Sequence, residues 1–419
     1  MAIPLRAGLR GLGLLIAIAA IAHPASARRK APPVTPDVQL VQGGAVQVDG
    51  KPFFPIGLYS SGSAPPRGFS YAEIAEAGFN LVTAPFEQSA LDELNRHGLK
   101  AILYLGPALD ISLESNRAIL QKAVRDFANH PAMLVWESIN EPSWTYQDYT
   151  KNRVSAEGLA AGHAYLKTLD PHHLILATHA PHQLVKTIAH YSKGVDAISP
   201  AFYPIIPPNL PKTYGRDKYG FHGDLPNQSA SAVGEYTDKM RKVVGWNRSV
   251  WTTLQAFSWS FSDKENLKDY LLFPSYAETR FMAFDAIVHG ANGLLFWGAH
   301  HINSTSSFWR DLSRVTKELK EMSPVFLSPT IKSNVAIDYI ELGYSNDSSI
   351  EFLRKTYAGV NYLIATNTSR YPAKVVFRNV FGAQVPTSVR VADENRKVST
   401  EQGTFTDSFE ELGVHVYVW

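Results

Sequence analysis

The 419-residue chain contains no cysteine. Disulfides, thiolate metal sites and a lipid-modified N-terminal cysteine are therefore excluded, and core burial has to supply the stability. Charge of one sign is also missing: 40 Lys and Arg stand against 38 Asp and Glu, a formal +2. Neutralising a phosphate backbone takes a basic surplus, so nucleic acid is not an expected partner. An apolar run long enough to span a membrane is absent from the N-terminal region. The run from about Gly11 to Ala22 is too short to cross a bilayer comfortably.

That run does have the flanks of an export signal. Arg6 and Arg10 precede it and Ala25-Ser26-Ala27 follows, so residues 1–27 read as a secretory signal peptide, with a membrane anchor as the alternative. Secretion or a periplasmic location is expected, with no membrane association after cleavage. Removal of residues 1–27, with their two arginines, leaves 392 residues (419 − 27) that are formally neutral (+2 − 2), enough for two domains. What the chain has in quantity is aromatic surface, with eight Trp and nineteen Tyr. Flat faces with polar edges suit sugar rings, although most aromatics in any protein pack its core. Composition permits a carbohydrate partner and does not prove one.

Residues 28–38 are basic and Pro-rich and read as a disordered tether, and Gln39 to Gly50 alternates as a short hairpin would. An eightfold rhythm follows. Strands are predicted at Phe53–Tyr59, Asn80–Ala84, Lys100–Leu105, Met133–Asn140, Leu174–Thr178, Ala197–Tyr203, Val250–Phe257 and Gly293–Trp297, with amphipathic helices between them. Glycines stop three of the helices, in Ala77-Gly78, His97-Gly98 and His289-Gly290. Eight β-then-α units predict a (β/α)₈ TIM barrel over residues 39–332. An open doubly wound sheet also alternates, but a glycine-rich phosphate loop after the first strand is missing. From about Ser333 only strand patterns remain, six of them. Residues 333–419 are therefore read as a small antiparallel β-sandwich with a structural role.

Barrel enzymes carry their sites on the loops after the strands' C-terminal ends. The loops after strands six and seven are long and contain Tyr214, Tyr219, Phe221, Trp259 and Phe261, which are read as cleft walls. Strand four ends in Trp136-Glu137-Ser138-Ile139-Asn140-Glu141-Pro142. Glycoside cleavage needs a protonated carboxyl for the leaving oxygen and a second carboxylate across the anomeric carbon. Glu141 is the best acid in the chain. Glu137 shares its strand parity and is read as a buried structural carboxylate lower in the barrel.

The run from His130 to Pro142 resembles the strand-four signature of clan A glycoside hydrolases, the barrel superfamily of cellulases, mannanases and β-galactosidases. Asp49 to Gly57, Phe296-Trp297 and the C-terminal β region extend the resemblance. It implies retaining hydrolysis, with Glu141 as acid/base and Asn140 bonded to the sugar's 2-hydroxyl. The nucleophile in that clan is a Glu ending strand seven, where this chain has Gln255. An amide can neither form the glycosyl ester nor stabilise an oxocarbenium ion by charge. The Arg that clan members often carry after strand two is also missing from Thr83-Ala84-Pro85-Phe86.

Three explanations stand. Another carboxylate has taken over, with Glu278 preferred because it opens the helix after strand seven, where the helix dipole favours an anion. The alternative for Glu278 is that it caps its helix or pairs with Arg280. Asp110 and Glu87 are weaker candidates. Or the substrate assists, with Gln255 orienting it. Or sugar is bound and not cleaved. Tyr203 and Trp297 are expected to flank a sugar, and His179 to bond a hydroxyl. Metal is not expected at His300-His301 or His172-His173, because adjacent residues rarely point both rings at one ion. No cofactor is expected. The function that follows is a secreted glycoside hydrolase, with a non-catalytic carbohydrate-binding protein as the alternative.

Overall fold

A computed structural model describes residues 35–60, 68–143, 153–180, 183–207, 216–217, 220–221, 227, 229–261, 272–341 and 349–419. Residues 1–27, read as a signal peptide, and residues 28–34 of the expected tether lie outside them. Three short strands come first: β1 (Val38–Leu40), β2 (Val46–Val48) and β3 (Lys51–Phe53) form an antiparallel sheet turning at Asp49-Gly50. Val38 already pairs with Val48, so the tether was drawn too long at its end. Val38, Val46 and Val48 join the barrel's interior cluster of Leu81, Ile102, Leu134, Leu176, Trp251 and Leu295, so this sheet plugs one end.

Eight parallel strands close the barrel: β4 (Ile56–Tyr59), β5 (Leu81–Thr83), β6 (Lys100–Tyr104), β7 (Met133–Glu137), β8 (Leu174–His179), β9 (Ala197–Pro200), β12 (Ser249–Gln255) and β13 (Gly293–Trp297). A two-residue pair, β10 (Arg216–Asp217) with β11 (Gly220–Phe221), lies in the loop after β9. Helices α1 (Tyr71–Glu76), α2 (Gln88–Arg96), α3 (Glu114–Phe127), α4 (Ala156–Leu169), α5 (Val185–Tyr191), α6 (Ala232–Val244), α7 (Tyr276–Val288) and α8 (Ser307–Leu327) follow the strands in turn. Serines start several of them: Ser70, Ser155, Ser275 and Ser306 each accept a backbone N–H of the first turn. Gly78 ends α1 at φ 104°, where an added Cβ would sit 2.7 Å from the Thr316 backbone. Among the described residues no helix is long and apolar enough to cross a membrane.

The C-terminal region is a sandwich of eight strands. One sheet orders β14 (Ala336–Glu341), β17 (Ala373–Arg378) and β20 (Phe405–Phe409). The other orders β15 (Ile350–Tyr357), β16 (Val360–Asn367), β21 (Val414–Val418), β18 (Ser388–Val391) and β19 (Arg396–Ser399). Phe377, Phe405 and Tyr417 meet in its core. The two strands missed from sequence, β19 and β20, are short: no residue of β19 is buried, and β20 buries only Phe405 and Phe409 at its ends.

Strand four departs from expectation where it matters. It ends at Glu137, not Asn140. Ser138 N–H donates to Leu176 O at 2.8 Å, and Glu141 N–H to Thr178 O at 2.9 Å. Three residues on one side thus span two on the other, a bulge that ends simple parity. Glu141 takes a left-handed backbone, φ 49°.

Candidate active site

Of the eight residues that end the barrel strands only Glu137 is acidic. Trp136 points out, its Nε1 donating to Asp170 at 2.7 Å, so Glu137 points in. It is 2% exposed and accepts a short hydrogen bond from the Tyr59 hydroxyl. Burial pushes its carboxyl up to about 8, against the lowering effect of that bond. Tyr59 is itself raised by burial and by Glu137, with Tyr203 and Thr178 close enough to act on it. Glu137, Tyr59, Thr178 and Tyr203 form the floor of the mouth.

An aromatic wall rises on one side. Tyr203 stacks on Trp297, ring centroids 5.4 Å apart and planes at 27°. Phe257 meets both edge-on at 5.0 and 4.9 Å, and Trp259 Nε1 donates to Tyr203 O at 3.2 Å. His300 and His301 flank Trp297, and burial with the neighbouring His300 pushes His301 down to about 4. It is neutral near pH 7. Of the other predicted wall residues, Tyr214 and Tyr219 lie outside the described residues, as do the side chains of Phe221 and Phe261.

The rim carries the motif. Arg153 donates to Asn140 O at 2.6 Å and lies 3.9 Å from the Glu141 carboxylate. The Glu141 side chain is 24% exposed. Burial raises its pKa and Arg153 opposes that shift. Asn140 Oδ1 is buried without a hydrogen-bond partner among the described residues. Tyr104 links rim to floor, feeling both Glu137 and Arg153 and the Asn140 backbone.

Three predicted site residues do something else. Glu278 closes a capping box: its carboxylate accepts from Ser275 N at 2.7 Å and Ser275 Oγ at 2.8 Å. Arg280 pairs with Glu318 instead. Gln255 occupies the expected strand end but is fully buried, and its amide clasps the chain after β9. Its Oε1 accepts from Ile205 N and its Nε2 donates to Ile205 O, both at 2.9 Å, with a further bond to Phe257 O at 3.0 Å. His179 points outward and is fully buried against Ser192 Oγ, 2.9 Å from Nε2. Burial, then the charges of His163 and Arg248, push it down to about 3. Strand parity accounts for this, because Leu174 and Leu176 face the barrel interior and Ile175 and Ala177 the helices. Asp110 is taken up by Ser112 in a turn, and Glu87 is exposed before α2.

Sequence reasoning missed Tyr59, Tyr104, Thr178 and Arg153. Tyr59 and Tyr104 end barrel strands, so the rule used for strand four would have found them. Arg153 follows a stretch outside the described residues and gave no signal.

No family model matches the chain, and a search of curated proteins found no match. Solved structures do share its fold. A glycoside hydrolase family 5 protein from Bacteroides vulgatus superposes with TM-score 0.60 at 12% identity, covering 91% of this chain and 93% of that one. A protein described as a glycoside hydrolase gives 0.58 at 13%, covering 92% and 96%. An Anoxybacillus α-amylase gives 0.52 at 10%, covering 87% and 97%. At these identities the likeness is one of fold.

Proposed function

We propose that the chain is a secreted glycoside hydrolase in which Glu141 protonates the leaving oxygen of an O-glycosidic bond. The observation that carries this reading is the Glu141 carboxyl at the barrel rim, raised by burial and still a quarter exposed. A carboxylic acid whose pKa is raised and that meets solvent is suited to donate its proton. Asn140 Oδ1 beside it, without a hydrogen-bond partner among the described residues, would accept a sugar hydroxyl. Tyr203 and Trp297 would stack against the ring, and His301 would hydrogen-bond a hydroxyl. The named activities of the fold neighbours support the same reaction class, and the leader over residues 1–27 supports export.

The second carboxyl is the harder matter. Glu278 and Gln255 are committed elsewhere, and Glu137 keeps its proton near neutrality. None of the three brings a standing negative charge to the mouth. Substrate assistance, in which a group on the sugar replaces the enzyme nucleophile, fits this arrangement.

The test pairs turnover with binding on plant, algal and microbial glycans. Glu141→Gln should fold, keep its sugar affinity and lose turnover by about 10²–10⁴-fold. Activity within tenfold of the parent protein would overturn the assignment. The engaged Gln255 and Glu278 also favour a second reading, a carbohydrate-binding barrel without catalysis. Binding by the parent protein with no new reducing ends would establish that reading instead.

A further inference from the structure

At the end of the barrel opposite the mouth, a pocket of about 650 Å³ opens between α7, the end of α8 and β15 of the sandwich. Asp238, His289 and Glu351 are among its lining residues. Asp285 and His289 stand one turn apart on α7, which places both side chains on one face. Asp285 is fully buried, and its Oδ2 accepts from Gly234 N–H at 2.7 Å. Its Oδ1 has no hydrogen-bond partner among the described residues. That oxygen lies 3.8 Å from His289 Nε2, which also faces Glu351 Oε2 at 2.5 Å. On the far side of the ring, His289 Nδ1 faces Asp238 Oδ2 at 3.0 Å. One ligand atom each from Asp285, His289 and Glu351 fit within 4.8 Å of one another.

The electrostatics are unbalanced. Three carboxylates surround one imidazole, so even a protonated His289 leaves a formal −2 (three negative, one positive). Two cations stand nearby, and Arg241 is close enough to act on Asp238, but neither donates a hydrogen bond to the cluster's carboxylates. Lys355 donates to Phe326 O and Ser328 O at 2.9 and 2.6 Å. Arg241 donates to the carbonyls of Gly245, Arg248 and Gly290.

We propose that Asp285, His289 and Glu351 bind a divalent transition-metal ion of the zinc class, with Asp238 orienting the histidine. One imidazole nitrogen with two carboxylate oxygens is a ligand set that zinc accepts, whereas magnesium and calcium prefer all-oxygen shells. A metal-bound histidine almost always gives its other N–H to a carboxylate or carbonyl, and Asp238 stands where that partner belongs. The unpartnered Asp285 oxygen supplies the inward acceptor. Water from the pocket completes the shell. Because α7 gives two ligands and β15 the third, the ion ties the sandwich to the barrel. Adjacent histidine pairs gave no such site in the sequence. These ligands are separated by up to 66 positions (351 − 285) and only the fold assembles them.

Zinc ions are the probe. Full-length protein is stripped with a chelator and titrated calorimetrically with Zn²⁺. One ion per chain and a raised Tm are expected, since the ion binds the folded cluster. Glu351→Gln should weaken binding at least tenfold, and Asp238→Asn by about 10–100-fold. Asp285→Asn should act like Glu351→Gln; if it fails to fold, Glu351→Gln, with its side chain 39% exposed, carries the test. His300→Gln should bind as the parent does. No zinc uptake, or uptake that survives Glu351→Gln and disappears in His300→Gln, would overturn the proposal.

Discussion

Glu137 shows what burial does to a single carboxyl. Its pKa lies at about 8 against an ordinary value of 4.5, so folding favours the protonated form. Between those two values the native state binds more protons than the unfolded chain, and stability must fall as pH rises. The contribution is complete below about 4.5 and gone above about 8. Glu137→Gln keeps the shape and the acceptor for Tyr59 and cannot ionise. Denaturant midpoints measured from pH 5 to pH 9 should therefore decline less steeply in the variant, which should equal or exceed the parent at pH 8. Parallel curves would mean that Glu137 ionises freely in the fold. The same residue also shows how far strand parity reads. Trp136 and Glu137 point out and in, but β7 already carries a register shift at Leu134, and a second irregularity follows between Ser138 and Glu141, neither of which sequence announces.

The start of α7 carries a local sequence signal, and it decides between the two roles that the sequence left open for Glu278. Ser275-Tyr276-Ala277-Glu278 is the Ser-x-x-Glu pattern in which serine and glutamate satisfy each other's backbone N–H groups. The same pattern at Ser70-Tyr71-Ala72-Glu73 forms the same box on α1. A carboxylate held by two hydrogen bonds at its own N-cap is a structural group, whatever strand precedes it. Ser275→Ala should cost about 0.5–2 kcal/mol of stability, as lost N-caps do. Glu278→Gln should leave turnover within a few-fold of the parent protein. If Glu278→Gln instead removed activity without loss of stability, the capping account would fail and Glu278 would be a catalytic carboxylate. Barrel strands and helices were readable because apolar runs and caps are local signals. The floor of the mouth was not, since the meeting of Tyr59, Glu137 and Tyr203 depends on barrel closure. Gln255 looked like a vacant catalytic position in sequence because its partner, the Ile205 backbone, lies 50 residues away.

At the scale of the whole molecule, barrel and sandwich share a core. Ile364, Val414, Val416 and Val418 of the sandwich belong to the same apolar cluster as Phe281 and Phe284 of α7. Arg280 stands within this seam. It grips both Glu318 oxygens at 2.7–3.1 Å and donates to Val414 O at 2.7 Å. Its side chain is 12% exposed and that of Glu318 8%. A buried pair of this kind contributes little net stability, but removing one partner strands the other charge at about 3–5 kcal/mol. Arg280→Ala should therefore lower stability by about that amount, whereas Arg280→Leu with Glu318→Leu should recover most of it, leaving mainly the lost Val414 bond at about 1 kcal/mol. Calorimetry distinguishes a shared core from two docked bodies. With a shared core, the parent and both variants each unfold in one transition, and Arg280→Ala moves the whole of it. Two transitions, only one of them sensitive to Arg280, would mean that the sandwich folds alone and that the seam adds little to either part.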